Sequence, residues 1–487
     1  MRKISLLLSA ILIASSCSHV KDATAMDELP PIWPDYTDVT IPVNIAPLNF
    51  GPAEWRDCSK IDVTISDESG RRLLHSAGAH ADFPLRRWHR ILDANAGKDL
   101  IFSVALKSES GWKTYKQFCM HVSVDEIDFG LTYRLIPPGY QSFGHMGLYE
   151  RELSTFRQRT LIDTRMVESG CINCHTENRG DPGTFCFHIR GRHSATFLHR
   201  NHEDFCLNTK TDSTKGFFVY PYWHPSGRYV AYSTNATRQS FYSSADKMLE
   251  VYDEHSDVLV YDVEKNVVIR PEAAFGSEMF ETKPSFSADG RTFYYCVSRP
   301  GVLPRDAKEM RYNICSLPFD PETGTFGSVA DTVLAVSVYD KSFISARPSY
   351  DGKYLMVAAC DYGTFPLCHE ESDIWVMNLA TGEVYDGGGI NSDRAESMHN
   401  WSTNSKWAVV SSRREDGLYT RLYLAHMGAD GVFEKSFLLP QKNPWTYYHR
   451  LINSYNVPDF TTGRLEFDAR DARKAIVGGE RVQVLAR

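Results

Sequence analysis

Five consecutive residues, Cys171-Ile172-Asn173-Cys174-His175, spell C-x-x-C-H. Two thiols at this spacing can add across the vinyl groups of a porphyrin, and the adjoining imidazole can bind its iron, so the string reads as a covalent attachment site for one haem c. Residues 171–210 also hold His188, His193, His199 and His202, an enrichment that fits an iron with protein ligands on both faces. His175 is the expected proximal ligand. His188 is the first choice for the opposite face, because Phe185-Cys186-Phe187-His188-Ile189-Arg190 alternates as a strand would, setting Cys186, His188 and Arg190 on one side. His199 and His202 come next, then Met166. Arg190, with Arg179 and Arg192, has the chemistry to pair with haem propionates; solvated arginines are the plain alternative. Cys171, Cys174, Cys186 and His188 could instead form a four-ligand zinc site.

The chain begins Met1-Arg2-Lys3, then runs apolar from Ile4 to Ala14, then Ser15-Ser16-Cys17. A short basic start and an apolar stretch too short to span a bilayer read as an export signal over residues 1–16. The small residues before Cys17 match, loosely, the site at which bacterial lipoproteins are lipidated. The expected location is therefore the periplasm or outer membrane, anchored through Cys17. Covalent haem attachment also belongs to that side of the cytoplasmic membrane, whereas structural zinc is commoner in reducing compartments.

With Cys17, Cys171 and Cys174 set aside, eight of the 11 cysteines remain, and near neighbours along the chain could form up to four disulfides, Cys360 with Cys368 above all. Buried free thiols are the alternative. A formal net charge of −8 argues against a nucleic-acid binder.

Helical periodicity is scarce, so the chain is expected to be mainly β. Residues 17–36 read as a tether. Residues 37–128 show short alternating strands, such as Ile61 to Ile65 and Phe118 to Val124, with one helix near Leu85 to Asn95; a β-sandwich-like domain is expected. Residues 216–487 carry an internal repeat. Tyr220-Pro221-Tyr222-Trp223, Lys283-Pro284-Ser285-Phe286, Arg347-Pro348-Ser349-Tyr350 and His399-Asn400-Trp401-Ser402 each precede a Ser-Gly, Asp-Gly or Asn-Ser turn and an apolar strand. Pro221 to Pro284 is 63 residues and Pro284 to Pro348 is 64. Repeated small sheets that cannot bury both faces alone stack around an axis as a propeller. About six blades are expected. The two lacking an obvious copy would come from residues 132–165 and 195–208, which places the haem segment, within residues 129–215, inside the ring.

These repeats resemble the TolB-like, PD40-type β-propeller units. The stretches from Thr132 to Tyr140, Ser169 to His175 and Phe187 to Gly191, with Ser411 to Thr420 and Asn453 to Pro458, resemble a group of Bacteroidetes envelope lipoproteins that combine such a propeller with a single cytochrome c motif. The resemblance implies fold and haem, and says little about reaction. The leading expectation is an exported, lipid-anchored haem c protein transferring electrons in the cell envelope, with an unknown redox or binding partner. The alternative is a propeller scaffold that binds a protein or glycan, with the haem or metal structural or sensory. No Ser-His-Asp order or paired-carboxylate motif favours a hydrolase.

Overall fold

A computed structural model describes residues 20, 22–54, 56–137, 145–168, 170–211, 214, 216–241, 249–274 and 278–486. Six mainly antiparallel sheets form a ring, each with one edge strand against the axis. In chain order of blades 1 to 6 these innermost strands are Ser454–Thr461, Cys171–Asn178, Phe218–Trp223, Phe280–Phe286, Ser342–Pro348 and Glu396–Trp401. Each packs beside the next, and the last returns to the first. Blade 1 mixes the two ends of the chain. Ser454–Thr461 pairs with Gly130–Ile136, which continues into Gly147–Glu152 and Gln158–Asp163. The ring is thereby closed by backbone hydrogen bonds, which removes the edges that an open sheet would expose.

One irregularity recurs in all six blades. Each innermost strand is bulged against its neighbour at the same place. The first residue of each bulge is left-handed and none is glycine: Val457, Cys174, Tyr220, Lys283, Ser345 and Met398 have φ between 48° and 58°. Such a backbone costs about 1–2 kcal/mol per residue, so its sixfold recurrence marks it as part of the blade design. The next residue is Pro458, His175, Pro221, Pro284, Ala346 or His399. Thus Cys174-His175 occupies the slot filled elsewhere by Tyr220-Pro221 and Lys283-Pro284. The third repeat read from the sequence was out of register: Pro348 lies opposite Leu355 as Phe286 lies opposite Phe293, while Ala346 holds the proline slot.

Residues two places beyond the left-handed one form a polar ring on the axis. Asp459 of blade 1 accepts from Thr176 Oγ1 of blade 2 at 2.9 Å and from Asn400 Nδ2 of blade 6 at 2.5 Å. Arg347 of blade 5 lies 4.9 Å from the Tyr222 ring of blade 3, across the axis. Further along, Arg179 of blade 2 donates to the backbone of Ala288 and Tyr350 in blades 4 and 5. The hairpin turns pack just as closely. Gly290, at φ 74°, leaves no room for a Cβ, which would fall 2.0 Å from His224 Nε2.

The N-terminal region differs from the two facing sheets expected. Its main strands form one seven-stranded sheet, and the helix Leu85–Ala94 buries Trp88 and Leu92 in the same core. That core runs on without a break into blades 5 and 6 through Trp401, Trp407 and Leu422. Residues expected to be a tether are partly built in: Tyr36 is fully buried and its hydroxyl donates to the Leu438 carbonyl at 3.1 Å. The C-terminal tail adds Val482–Gln483 to the edge of blade 2 and Leu485–Ala486 to the edge of blade 3.

Candidate functional site

Blade 2 carries the C-x-x-C-H string on its innermost strand, and the alternation of that strand decides what the three side chains can share. Ile172 packs with Phe185, Phe187 and Ile189 against Leu148 and Leu161 of blade 1. His175 points to the same side, where it lines a void of about 10 Å³ with Leu148, Leu161, Phe185, Phe187 and Phe467. A void of that size holds about one water. Burial pushes the pKa of His175 down to about 4, against a weak interaction with the Thr132 backbone. Cys174 turns the other way, toward Tyr220 of blade 3. Cys171 Sγ lies 3.5 Å from Arg134 Nη2. Cys174 is buried; burial pushes its thiol up, although the positive charges of Arg190 and Arg134 oppose this.

This arrangement does not fit haem c. The imidazole of His175 and the thiol of Cys174 lie on opposite faces of one sheet, and the imidazole faces a void far too small for a macrocycle.

The other expected ligands are dispersed as well. His188 does share a face with Cys186, as the alternation predicted: Cys186 belongs to the blade 2–3 core, and the His188 ring lies 4.9 Å from Phe217. His188 is buried, with Nδ1 3.2 Å from Thr196 Oγ1 and Nε2 unpartnered. His199 stacks on Phe185, on the opposite face, and contacts Asp204 at 2.7 Å. His202 is exposed and pairs with Glu466 at 2.9 Å. Met166 packs at the blade 1–2 core. Among the described residues no three His, Cys, Asp or Glu side chains converge on a metal position, so the zinc set is not assembled. None of the ten described cysteines is joined in a disulfide, Cys360 and Cys368 included, which differs from the expected pairing. Cys17 lies outside the described residues.

What the sequence did not disclose is how the axis is filled. At the end where the innermost strands begin, Lys283 is buried. Its ammonium donates to the carbonyl of Thr364 and, at 3.0 Å, to Thr364 Oγ1, and lies 4.6 Å from the Phe365 ring and 5.3 Å from the Tyr220 ring. Asp253 comes from the long Tyr229–Phe241 and Leu249–Asp262 hairpin of blade 3, and accepts from Asn235 at 2.9 Å. Burial raises its pKa to about 6, against the pull of Lys283. The same hairpin brings Glu250 to within 3.4 Å of His369 in the blade 5 loop. Near the axis the carboxyls of Glu177 and Asp459 are both raised, chiefly by burial, and the Glu177 backbone nitrogen donates to Asp459 Oδ2 at 3.2 Å. These side chains are buried and committed to one another among the described residues.

An open site does exist at the same end. A cavity of about 250 Å³ lies between the loops of blades 5 and 6, lined by Cys368, Glu370, Arg394, Arg413, Asp416 and Leu418 among others. Arg394 pairs with Glu370 at its rim. Arg413 lines its wall, with its backbone nitrogen tied to the Ala395 carbonyl at 3.0 Å. No motif marked these residues; the only signal was the Arg413-Arg414 pair at the end of a strand, which reads as solvated charge.

No family model matches the chain, and no curated protein is significantly similar to it. Among solved structures, prolyl oligopeptidase B from Galerina marginata is 12% identical, with a TM-score of 0.37 over 62% of this chain and 44% of that one. The tricorn protease is 10% identical, with a TM-score of 0.36 over 72% of this chain and 34% of its own. A DUF4784 family protein from Bacteroides caccae is 9% identical, with a TM-score of 0.31 over 74% of this chain and 95% of its own. This chain thus spans less than half the length of the first two. Likenesses this distant carry no functional weight, and the six-bladed ring rests on its own strand pairing.

Proposed function

We propose that the protein is an exported, lipid-anchored binding propeller that recognises an envelope protein, peptide or glycan with the loops at the end of the ring where the innermost strands begin. The observation that supports this reading is the contrast between a filled axis and one open cavity of about 250 Å³ on that end. Propellers serve many activities, so the site rather than the fold carries the reading. Export and lipidation rest on residues 1–17 of the sequence alone. The electron-carrier reading is not retained, because the C-x-x-C-H string is divided between two faces of blade 2.

Screening the mature protein against glycan and peptide arrays tests this. A discrete set of ligands should bind, at least about tenfold more weakly once Leu418→Trp fills the cavity mouth, a loss of about 1.4 kcal/mol. Equal binding by the variant, or no ligand at all, would overturn the reading. The intact mass of protein exported by a host competent for haem attachment should carry no haem increment; finding one would restore the cytochrome.

A further inference from the structure

Three arginines near the end of one blade 6 hairpin are treated very differently by the fold. Arg414 is fully engaged: it donates to Ser412 Oγ at 2.9 Å, to Ser436 Oγ at 2.7 Å and to the Ile390 carbonyl at 2.6 Å, and it pairs with Glu396 at 3.1 Å. Arg421 donates to the carbonyls of Asn453 at 2.7 Å and Leu451 at 2.8 Å. Arg413 has no such set. Its Nε is buried without a hydrogen-bond partner, and among the described residues its guanidinium pairs with no carboxylate. Burial pushes its pKa down, which means that the surroundings disfavour the charge they enclose. Asp416 exerts a mild attraction, but its Oδ1 is committed to the backbone nitrogens of Leu418 and Tyr419, both at 2.8 Å.

A partly desolvated cation without a counter-charge is costly, and folds keep one where a ligand supplies the missing charge. Resting on the binding reading above, we infer that the cavity at Arg413 takes a compact ligand bearing a single carboxylate, which forms a two-pronged bond with the Arg413 guanidinium. The planar fork of arginine matches a carboxylate in this way. The volume limits the body of the ligand, since pockets for drug-sized molecules begin at about 300 Å³. The charge limits its head. Glu370 and Asp416 stand at the rim, and the chain's net charge is −8, so a doubly charged phosphate meets more repulsion than a singly charged carboxylate. Leu418, 37% exposed, supplies an apolar wall for the carbon skeleton.

Titration of the mature protein with galacturonate, N-acetylglycine and sodium phosphate tests the inference. The first is a sugar acid and the second models the end of a peptide. The wild type should bind at least one of the two carboxylates, and phosphate about tenfold more weakly or not at all. Arg413→Gln should weaken that binding at least tenfold while the melting temperature holds or rises, since a cation without a partner has been removed. Arg413→Lys should fall between, keeping the charge and losing the fork. Leu418→Glu offers an internal carboxylate, and should both raise the melting temperature and block binding even if the Arg413 variants do not fold. Preferential binding of phosphate, carboxylate binding unchanged in Arg413→Gln or Leu418→Glu, or no carboxylate binding at all would each overturn the inference. In that last case, array ligands still lost on Leu418→Trp would leave the broader reading of this face standing.

Discussion

A chain ending after Leu451 is expected not to form the ring at all. It lacks Ser454–Thr461, the innermost strand of blade 1, which pairs with Gly130–Ile136 along its length. Burial of Tyr455 and Phe460, both essentially inaccessible, contributes about 1.5–3 kcal/mol each. Asp459, which joins blades 1, 2 and 6 on the axis, goes with them. The truncation also leaves a long unpaired edge at Gly130–Ile136, a template for aggregation. These losses together approach the whole stability of a typical domain, about 5–15 kcal/mol. Thermal denaturation followed by circular dichroism should show no cooperative transition for residues 18–451. A peptide spanning residues 452–486 added in trans should restore one. Removing only residues 480–486 takes two short edge strands, and should cost far less. A truncated chain that melts with the wild-type midpoint would show that blade 1 does not close the ring.

Acidification from pH 7 to pH 5 is the second large effect. His175 and His224 are depressed to about 4, and His188 and His399 to about 3, in each case chiefly because burial disfavours the imidazolium. For a base whose folded pKa lies below its unfolded value of 6.5, the unfolded chain binds the proton first. Stability is then complete above pH 6.5 and is lost as pH falls toward the folded values. At pH 5 each of these histidines costs about 2 kcal/mol, or about 8 kcal/mol for the four. Groups raised by burial work against this. Asp253 and Asp373 are raised to about 6; protonation of buried Asp253 in the folded state returns about 1.4 kcal/mol over the same interval, and half-exposed Asp373, screened by solvent, returns less. Glu177, Asp459 and His369, all raised, return some more. A net loss of a few kcal/mol remains. Urea midpoints measured from pH 7.5 to 5 should fall steeply below pH 6.5, and His399→Gln should flatten the fall. Stability that is constant or rising down to pH 5 would mean that these rings are charged in the folded protein.

Local patterns in the chain announce its strands, and much of the ring follows from them. The Tyr220-Pro221 and Lys283-Pro284 copies define blades 3 and 4, and the alternation from Phe185 to Arg190 placed Cys186 and His188 on one face, as the structure has it. Residues 132–165 and 195–208, where the missing blades were expected, supply only outer strands: the innermost strand of blade 1 is Ser454–Thr461, and the inner pair of blade 2 is residues 171–190, the segment read as a haem insertion. What stayed hidden depends on contacts between distant parts of the chain. Nothing near Ser454 says that it pairs with residues more than 300 positions earlier, because a strand's own pattern does not name its partner. The role of Cys174-His175 was concealed for a different reason. A motif with strong chemical meaning coincides with a position whose structural meaning shows only when six blades are superimposed, and the proline that marks the slot is absent from blades 2, 5 and 6. The stretch Ser411 to Thr420 stood out in the sequence, but that it walls a cavity did not, since the other walls come from two further loops joined to it only by folding.

The central claim is that Cys171 to His175 is a piece of blade architecture, and the stability of His175→Pro tests it most directly. Pro221, Pro284 and Pro458 fill this slot in three other blades, and residues 174 and 175 stand outside the register of strand pairing, so the lost N–H leaves no pairing partner stranded. The change also removes a buried imidazole whose ring nitrogens are poorly satisfied, which offsets the packing lost with it. The variant should melt cooperatively, within about 1 kcal/mol of the wild type or above it. A loss of about 3 kcal/mol or more, or the disappearance of a Soret band carried by the wild type, would mean that His175 is held in place by something other than the blade.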